Sequence, residues 1–271
     1  MAKQRILFFS QEIAPYLPAS ENSKLGKELP TAMQSRKFEV RTFMPNFGAV
    51  NERRNQLHEV IRLSGVNVVI DDADHPLIIK VASMQPSRIQ VYFVDNDDYF
   101  QKLDSDIDAI GSNREDNDER AIFYARGAVE TAEKLRWEPD LIHVSGWISA
   151  LIPLYIKRVF NVGPDFKKAK LVYTVLRQEE IAPIDTAIFN KLAENGVKPE
   201  DIEELKKLPF NNNILNRIAI KYADAVVFNT VEPDAELLKA VEERAIPFIS
   251  LDPEEDNAEK YFNFFQSLKE E

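Results

Sequence analysis

Short runs in which every residue is apolar alternate along this chain with longer stretches in which apolar side chains return every three or four positions. Runs of the first kind suit strands buried on both faces of a parallel sheet, and those of the second suit helices lying against it. Residues 5–10, with Ile6-Leu7-Phe8-Phe9 at their centre, predict the first strand. A loop holding Pro15 and Pro18 follows, and Leu25, Leu29, Ala32 and Met33 then form a helical stripe. Residues 40–44 return to a strand that ends at Pro45, completing a βαβ opening.

The rhythm changes between residues 57 and 94. Residues 58–63, 66–70, 77–82 and 89–94 are closely spaced β-rich runs separated by Gly65, Asp71-Asp72 and Gln85-Pro86, which predicts antiparallel hairpins at the sheet edge. Residues 104–118 are polar and read as a loop, before a strong helix striped by Ile122, Ala125, Val129, Ala132 and Leu135. Further α/β steps follow. Strands are predicted at 140–144, 170–175, 225–228 and 246–251, and helices at 148–159, 200–207, 214–222 and 234–244. Ala258, Tyr261, Phe262, Phe265 and Leu268 make the apolar face of a last helix. No repeat or linker interrupts the series, so residues 1–271 read as one α/β domain, a doubly wound Rossmann-like sheet with a β-hairpin insertion. In such a sheet ligands bind beyond the carboxyl ends of the strands, which directs attention to residues 11–22, 46–51, 95–99, 145–147, 175–180 and 229–233.

Charge and composition narrow the function. With 34 Lys and Arg against 45 Asp and Glu, the chain carries a formal charge of −11, the wrong sign for a nucleic-acid or anionic-membrane partner. It has no cysteine, which removes disulfides, thiolate catalysis and Cys-ligated metals, and its three histidines are far apart. No metal or cofactor is expected. The first apolar run is too short for a signal-peptide core, so a cytoplasmic protein is expected. Only 8 glycines are present and no two stand two apart, so neither a GxGxxG loop nor a nucleophile elbow can be written. Gly26-Lys27 fails as a phosphate loop, because Glu21 and Glu28 stand where Gly and Ser or Thr are required.

Landmarks at these exits resemble one family. They include Ser10-Gln11-Glu12 with Pro15, Glu28-Leu29-Pro30, Val40-Arg41 with Met44-Pro45, and Tyr92-Phe93-Val94-Asp95 leading to Tyr99-Phe100. Arg120-Ala121-Ile122-Phe123, Pro139-Asp140-Leu141-Ile142-His143, Trp147 with Ala150-Leu151 and Pro153, and Tyr173-Thr174 continue the series. Lys221-Tyr222-Ala223-Asp224 leads into Asn229-Thr230-Val231. In order and spacing these resemble the N-terminal domain of the bacterial glycogen and plant starch synthases, over residues 6 to about 237. The resemblance implies half of a GT-B glycosyltransferase, the acceptor side of an enzyme that moves glucose from a nucleotide sugar to an α-1,4-glucan, with no metal.

It also implies substrate-binding positions. Glu12 would reach sugar hydroxyls, Asp95 and Tyr99 would offer a carboxylate and an aromatic platform to a glucan, and Trp147 would offer a second platform. Each has a plainer alternative: a loop or helix cap for Glu12, an ordinary turn with Tyr99 packed on the sheet, and a core position for Trp147. His143, inside an apolar strand, reads as a core histidine. Asp71-Asp72-Ala73-Asp74 with Asp95, Asp97 and Asp98 reads as a solvated acidic edge, not a calcium loop, since the EF-hand spacing is missing. Glu179-Glu180 near Asp185 read as loop charges.

The departures from the family pattern matter as much. Where the family carries Lys-x-Gly-Gly-Leu beside the donor phosphates, this chain has Pro18-Ala19-Ser20-Glu21-Asn22, which replaces a cation with a ring and adds an anion. Where the family has His-Asp-Trp it has Ser145-Gly146-Trp147, and where the family has Thr-x-His-Asn it has Thr174-Val175-Leu176-Arg177. The C-terminal domain, roughly 200 residues, has no counterpart here. The expectation is an acceptor-side half, with no catalytic residue assigned, that binds an α-glucan or maltooligosaccharide and is inactive unless a separate domain or protein supplies the donor side. The alternatives are a non-catalytic glucan-binding or regulatory module, or an interaction protein. If the last helix crosses back onto the sheet, as in the two-domain family, the chain is expected to be a complete gene product.

Overall fold

A computed structural model describes residues 3–102, 108–161, 166–177 and 181–269. Strand β1 (Arg5–Ser10) enters the core with its last five residues buried, then the chain turns into helix α1 (Glu21–Ser35) and strand β2 (Glu39–Pro45). Helix α1 begins where Ser20 and Ser23 cap each other reciprocally, which satisfies two of the amide donors a helix start leaves open. A one-turn helix α2 (Glu52–Asn55) precedes strands β3 (His58–Glu59), β4 (Val66–Ile70), β5 (Ala73–Met84) and β6 (Ile89–Asp95). Next come helix α3 (Asn117–Lys134), strand β7 (Leu141–Ser145), the helical turn α4 (Ile152–Leu154) and strand β8 (Lys170–Val175). Helices α5 (Ile188–Glu194), α6 (Pro199–Leu205) and α7 (Ile214–Tyr222), strand β9 (Ala225–Phe228), helix α8 (Ala235–Glu243), strand β10 (Phe248–Ser250) and helix α9 (Ala258–Ser267) close the series.

One ten-stranded sheet joins the strands. Seven of them run parallel in the order β6-β2-β1-β7-β8-β9-β10. The order reverses at β1, which makes the fold doubly wound. Strand β5 pairs antiparallel with β6 and carries β3 and β4 beside it. Phe8, His143 and Thr174 face α9, which packs against α1. Tyr173 points to the opposite face and hydrogen-bonds Asn216 of α7, and Gly127 of α3 sits there against Val94 and Leu77. Two helical layers thus enclose the sheet.

Several expectations are corrected in detail. Strand β6 is not part of an edge hairpin alone: it pairs in parallel with β2 inside the sheet, and only β3, β4 and β5 form the insertion. Residues 60–63 form a turn, not a strand. The helix expected at 148–159 is broken into a 3₁₀ turn at Trp147–Ser149, α4, and a wide π turn at Tyr155–Val159, since Pro153 has no amide hydrogen to continue an unbroken ladder. Helix α5 lies in a stretch read as loop. Asp71 and Asp72, both exposed, with φ of 52° and 58°, form the two-residue turn between β4 and β5 at the break that the sequence marks, their short side chains tolerating the left-handed backbone. Among the described residues no helix is long and apolar enough to cross a membrane.

Candidate functional site

The chain leaves β1 toward β2 and returns beside it as β7, so a crevice opens where these two strands end. Gln11 prolongs the ladder, its amide donating to the Ser145 carbonyl at 3.2 Å. Gly146 then passes so close that a Cβ there would stand 2.4 Å from Gln11 Oε1, and its φ is +87°. Only glycine fits both demands. This close passage delivers Trp147 directly beyond the end of β7.

Glu12 stays beside β1. Its carboxylate accepts from Gln11 Nε2 at 3.2 Å and from Ser20 Oγ at 2.8 Å. Ser20 Oγ also accepts from the Ser23 amide at 2.9 Å, and Ser23 Oγ donates to the Pro18 carbonyl at 2.9 Å. Segment 18–23 is therefore a closed hydrogen-bonded cap, with Glu12 as its anchor. Gly26 lets α1 lie against it, since a Cβ there would be 2.0 Å from the Glu12 carbonyl oxygen.

Asp95 and Tyr99 are turned inward, against the expectation that they face a ligand. Asp95, 2% exposed, pairs with Lys80 Nζ at 2.7 Å and accepts from Gln101 Nε2 at 2.8 Å. Lys80 also holds Glu52 at 2.6 Å, and Asn46 donates to Glu52 at 2.7 Å. Burial works to raise the Glu52 carboxyl, but the hydrogen bonds from Lys80 and Asn46 outweigh it and leave the group below the usual carboxylate range. After β6 a wide π turn at Asp97–Gln101, capped by Asn96 Oδ1, swings Tyr99 into the core. The Tyr99 hydroxyl donates to Glu119 Oε2 at 2.8 Å and meets His75 Nε2 at 3.0 Å, and its ring lies 4.6 Å from His75 and 5.3 Å from Phe123. Burial, then the bond to Glu119, pushes that hydroxyl far above the ordinary tyrosine range. A phenol so occupied offers no open platform.

Trp147 is also a core residue, 3% exposed, but the little of it that stays open borders a cleft. An open cavity of about 1550 Å³ runs along the carboxyl ends of β8 and β9 toward β10, between the first turns of α1 and α7, and Trp147, Val175 and Phe228 form part of its lining. Five asparagines, Asn22, Asn113, Asn212, Asn213 and Asn216, bring amides to it. Among the described residues its lining charges are the carboxylates of Glu21, Glu232, Asp234, Asp252 and Glu254 and the guanidinium of Arg177, which is itself 3.2 Å from Glu21. Such a lining suits neutral hydroxyls and repels a diphosphate.

Beneath Trp147 lies Arg120, fully buried. Its Nε donates to the Tyr99 carbonyl at 2.8 Å, its Nη1 to Gly111 O and Asn117 Oδ1 at 2.7 Å each, and its Nη2 to Ile110 O at 2.6 Å. The guanidinium carbon is 5.8 Å from the Trp147 ring centre and at similar distance from Phe47 and Phe100. Burial lowers its pKa to about 10. In sequence Arg120 is visible only as the start of a landmark, because its partners are scattered over residues 99–117.

His143 is a core residue, as its strand suggests. Nε2 is 2.8 Å from Thr174 Oγ1, which also meets the Tyr261 hydroxyl at 3.3 Å, and burial pulls the imidazole down to about 3. Thr174 thereby serves the packing of α9. Asp185 caps a turn through the Ala187 amide, whereas Glu179 and Glu180 lie outside the described residues. Among the described residues no group of three His, Asp or Glu could hold a metal ion.

The starch synthase catalytic domain model matches residues 5–238. Glycogen synthase of Chlorobaculum parvum is 32% identical over 227 residues, covering 82% of this chain and 45% of that protein. Glycogen synthase of Chlorobaculum tepidum is 34% identical over 224 residues, with the same coverage. The catalytic domain of starch synthase IV from Arabidopsis thaliana, bound to ADP and acarbose, superposes with a TM-score of 0.67 at 17% identity, over 92% of this chain and 51% of that one. The fold is thus the Rossmann-like half of a GT-B glycosyltransferase, and the chain spans about half the length of the curated relatives it matches. On the match over residues 5–238 and these identities, the chain belongs to the starch synthase catalytic domain family.

Proposed function

We propose that these residues form the acceptor side of a glucosyltransferase of the glycogen and starch synthase type, a half that holds an α-1,4-glucan and transfers glucose only when another domain or protein supplies the donor side. The observation that carries this reading is the lining of the cleft: amides and the edge of an aromatic residue suit a neutral saccharide, while the one cation among the described lining residues, Arg177, is paired with Glu21. Transfer from a nucleotide sugar needs fixed positive groups at the departing diphosphate and exact placement of both sugars. Here the segment that would meet the phosphates is the closed cap at Ser20 and Ser23. Trp147 is the direct glucan contact of the four candidate positions, while Glu12 anchors the cap and Asp95 and Tyr99 brace the wall behind it. The protein works in the cytoplasm, where nucleotide sugars and glucan ends meet.

A second reading, a glucan-binding module with no transfer role, is favoured by the acidic lining. A radiolabelled ADP-glucose transfer assay separates the two. The chain alone gives no transfer, and adding the isolated donor-side domain of a full-length relative gives transfer to maltoheptaose under the first reading. Transfer by the chain alone contradicts both, and a mixture that stays silent while the chain binds glucan favours the second.

A further inference from the structure

Arg120 presents a problem that packing alone does not answer. A fully buried guanidinium costs desolvation energy, and among the described residues no carboxylate comes within 4 Å of it. Among the described residues Asp116, Arg114 and Asp108 act on it only through space. An apolar side chain would fill the same space at less cost, unless the position requires several donors spread in one plane. That is what Arg120 supplies. It ties the Tyr99 carbonyl, after β6, to the carbonyls of Ile110 and Gly111, while its guanidinium carbon lies 5.8 Å from the Trp147 ring centre. The loop it gathers continues to Asn113, which borders the cleft together with Trp147. The Trp147 indole N–H is buried without a partner, so no hydrogen bond of its own fixes the ring.

We propose that Arg120 is the positioning residue of the cleft: its guanidinium fixes the Trp147 ring and the loop leading to Asn113 in the geometry that receives the saccharide. Arg120 touches no ligand and acts through Trp147. The identity of the ligand rests on the acceptor reading above, while the placement of Trp147 by Arg120 stands apart from it.

The test uses the full chain labelled with 5-fluorotryptophan, which gives two fluorine resonances, one from Trp147 and one from Trp137, assigned with W147F. Arg120→Lys keeps the charge and loses the planar fork. The resonance of Trp147 is expected to shift and broaden while that of Trp137, which bonds Glu39 elsewhere, stays in place. A merely structural role moves both resonances together or neither, and either result overturns the proposal. Asn117→Ala, which removes one acceptor of the guanidinium, gives the same selective shift in smaller measure and serves if R120K does not fold. Titration with maltoheptaose supplies the second readout: R120K weakens binding about tenfold, and adds nothing further in a W147F background, since two residues acting as one unit are not additive. Additive losses overturn the proposal. If the unmodified chain binds no maltoheptaose, the acceptor reading falls, and the fluorine spectra still decide the role of Arg120.

Discussion

Gly146 and Gln11 occupy neighbouring strand exits so closely that a Cβ on Gly146 would stand 2.6 Å from the Gln11 Cβ, and this approach sets where Trp147 enters the cleft. The family pattern carries a polar residue before its tryptophan, and here the Gln11 side chain occupies the space such a residue would take. Gly146→Ala would combine a collision with a φ of +87° that L residues rarely adopt. The expected cost is about 2–3 kcal/mol, read as a lower urea midpoint at unchanged slope. A midpoint equal to that of the parent chain would contradict this packing.

Lys80 holds two carboxylates, one of them the buried Asp95. Lys80→Met leaves Asp95 in the core without its cation, with only the Gln101 amide beside it, which should cost about 3 kcal/mol. Equilibrium denaturation measures it. The double variant Lys80→Met with Asp95→Leu should recover most of the loss, because removing both partners removes the stranded charge.

His143 makes the acid limb of stability steeper. Its folded pKa is about 3 against 6.5 for the free group, so above 6.5 it is neutral in both states and contributes no pH dependence. As pH falls from 6.5 toward 3 the unfolded chain takes up a proton that the folded chain does not, and stability drops by up to about 1.4 kcal/mol per pH unit. Subtracting the stability profile of His143→Gln from that of the parent isolates this slope from the carboxylates that titrate lower. A flat difference would show that the imidazole is not buried.

Helix α9 covers His143 through Tyr261 and Phe265, whose rings lie 5.8 and 6.0 Å from the imidazole. Phe265→Ala should cost about 3–5 kcal/mol, the range for emptying a buried phenylalanine site. Calorimetric melting checks it, and Phe262→Ala, on the partly buried side of the same helix, should cost clearly less.

The parallel strands were legible because their apolar runs are uninterrupted: Ile6 to Phe9 and Leu171 to Tyr173 admit few other readings. The place of β6 inside the sheet was not, since pairing with β2 is decided by contacts almost fifty residues away in sequence. The inward turn of Tyr99 depends on His75 and Glu119, 24 and 20 residues away on either side, and local pattern carries no sign of them. Helix α5 is only seven residues long, too short for periodicity to mark, and it is held by the bonds of Lys191 to Asp118 and Glu119. The family landmarks pointed to strand exits, yet they could not separate Trp147, which borders the cleft, from Asp95, which is held by Lys80 and Gln101.

The most direct measurement is isothermal titration calorimetry of the purified chain with maltoheptaose and, separately, with ADP-glucose. The account predicts saturable heat with maltoheptaose, weakened by Trp147→Ala, and none with ADP-glucose. Binding of ADP-glucose as tight as that of the glucan, or no binding of maltoheptaose at all, would contradict it.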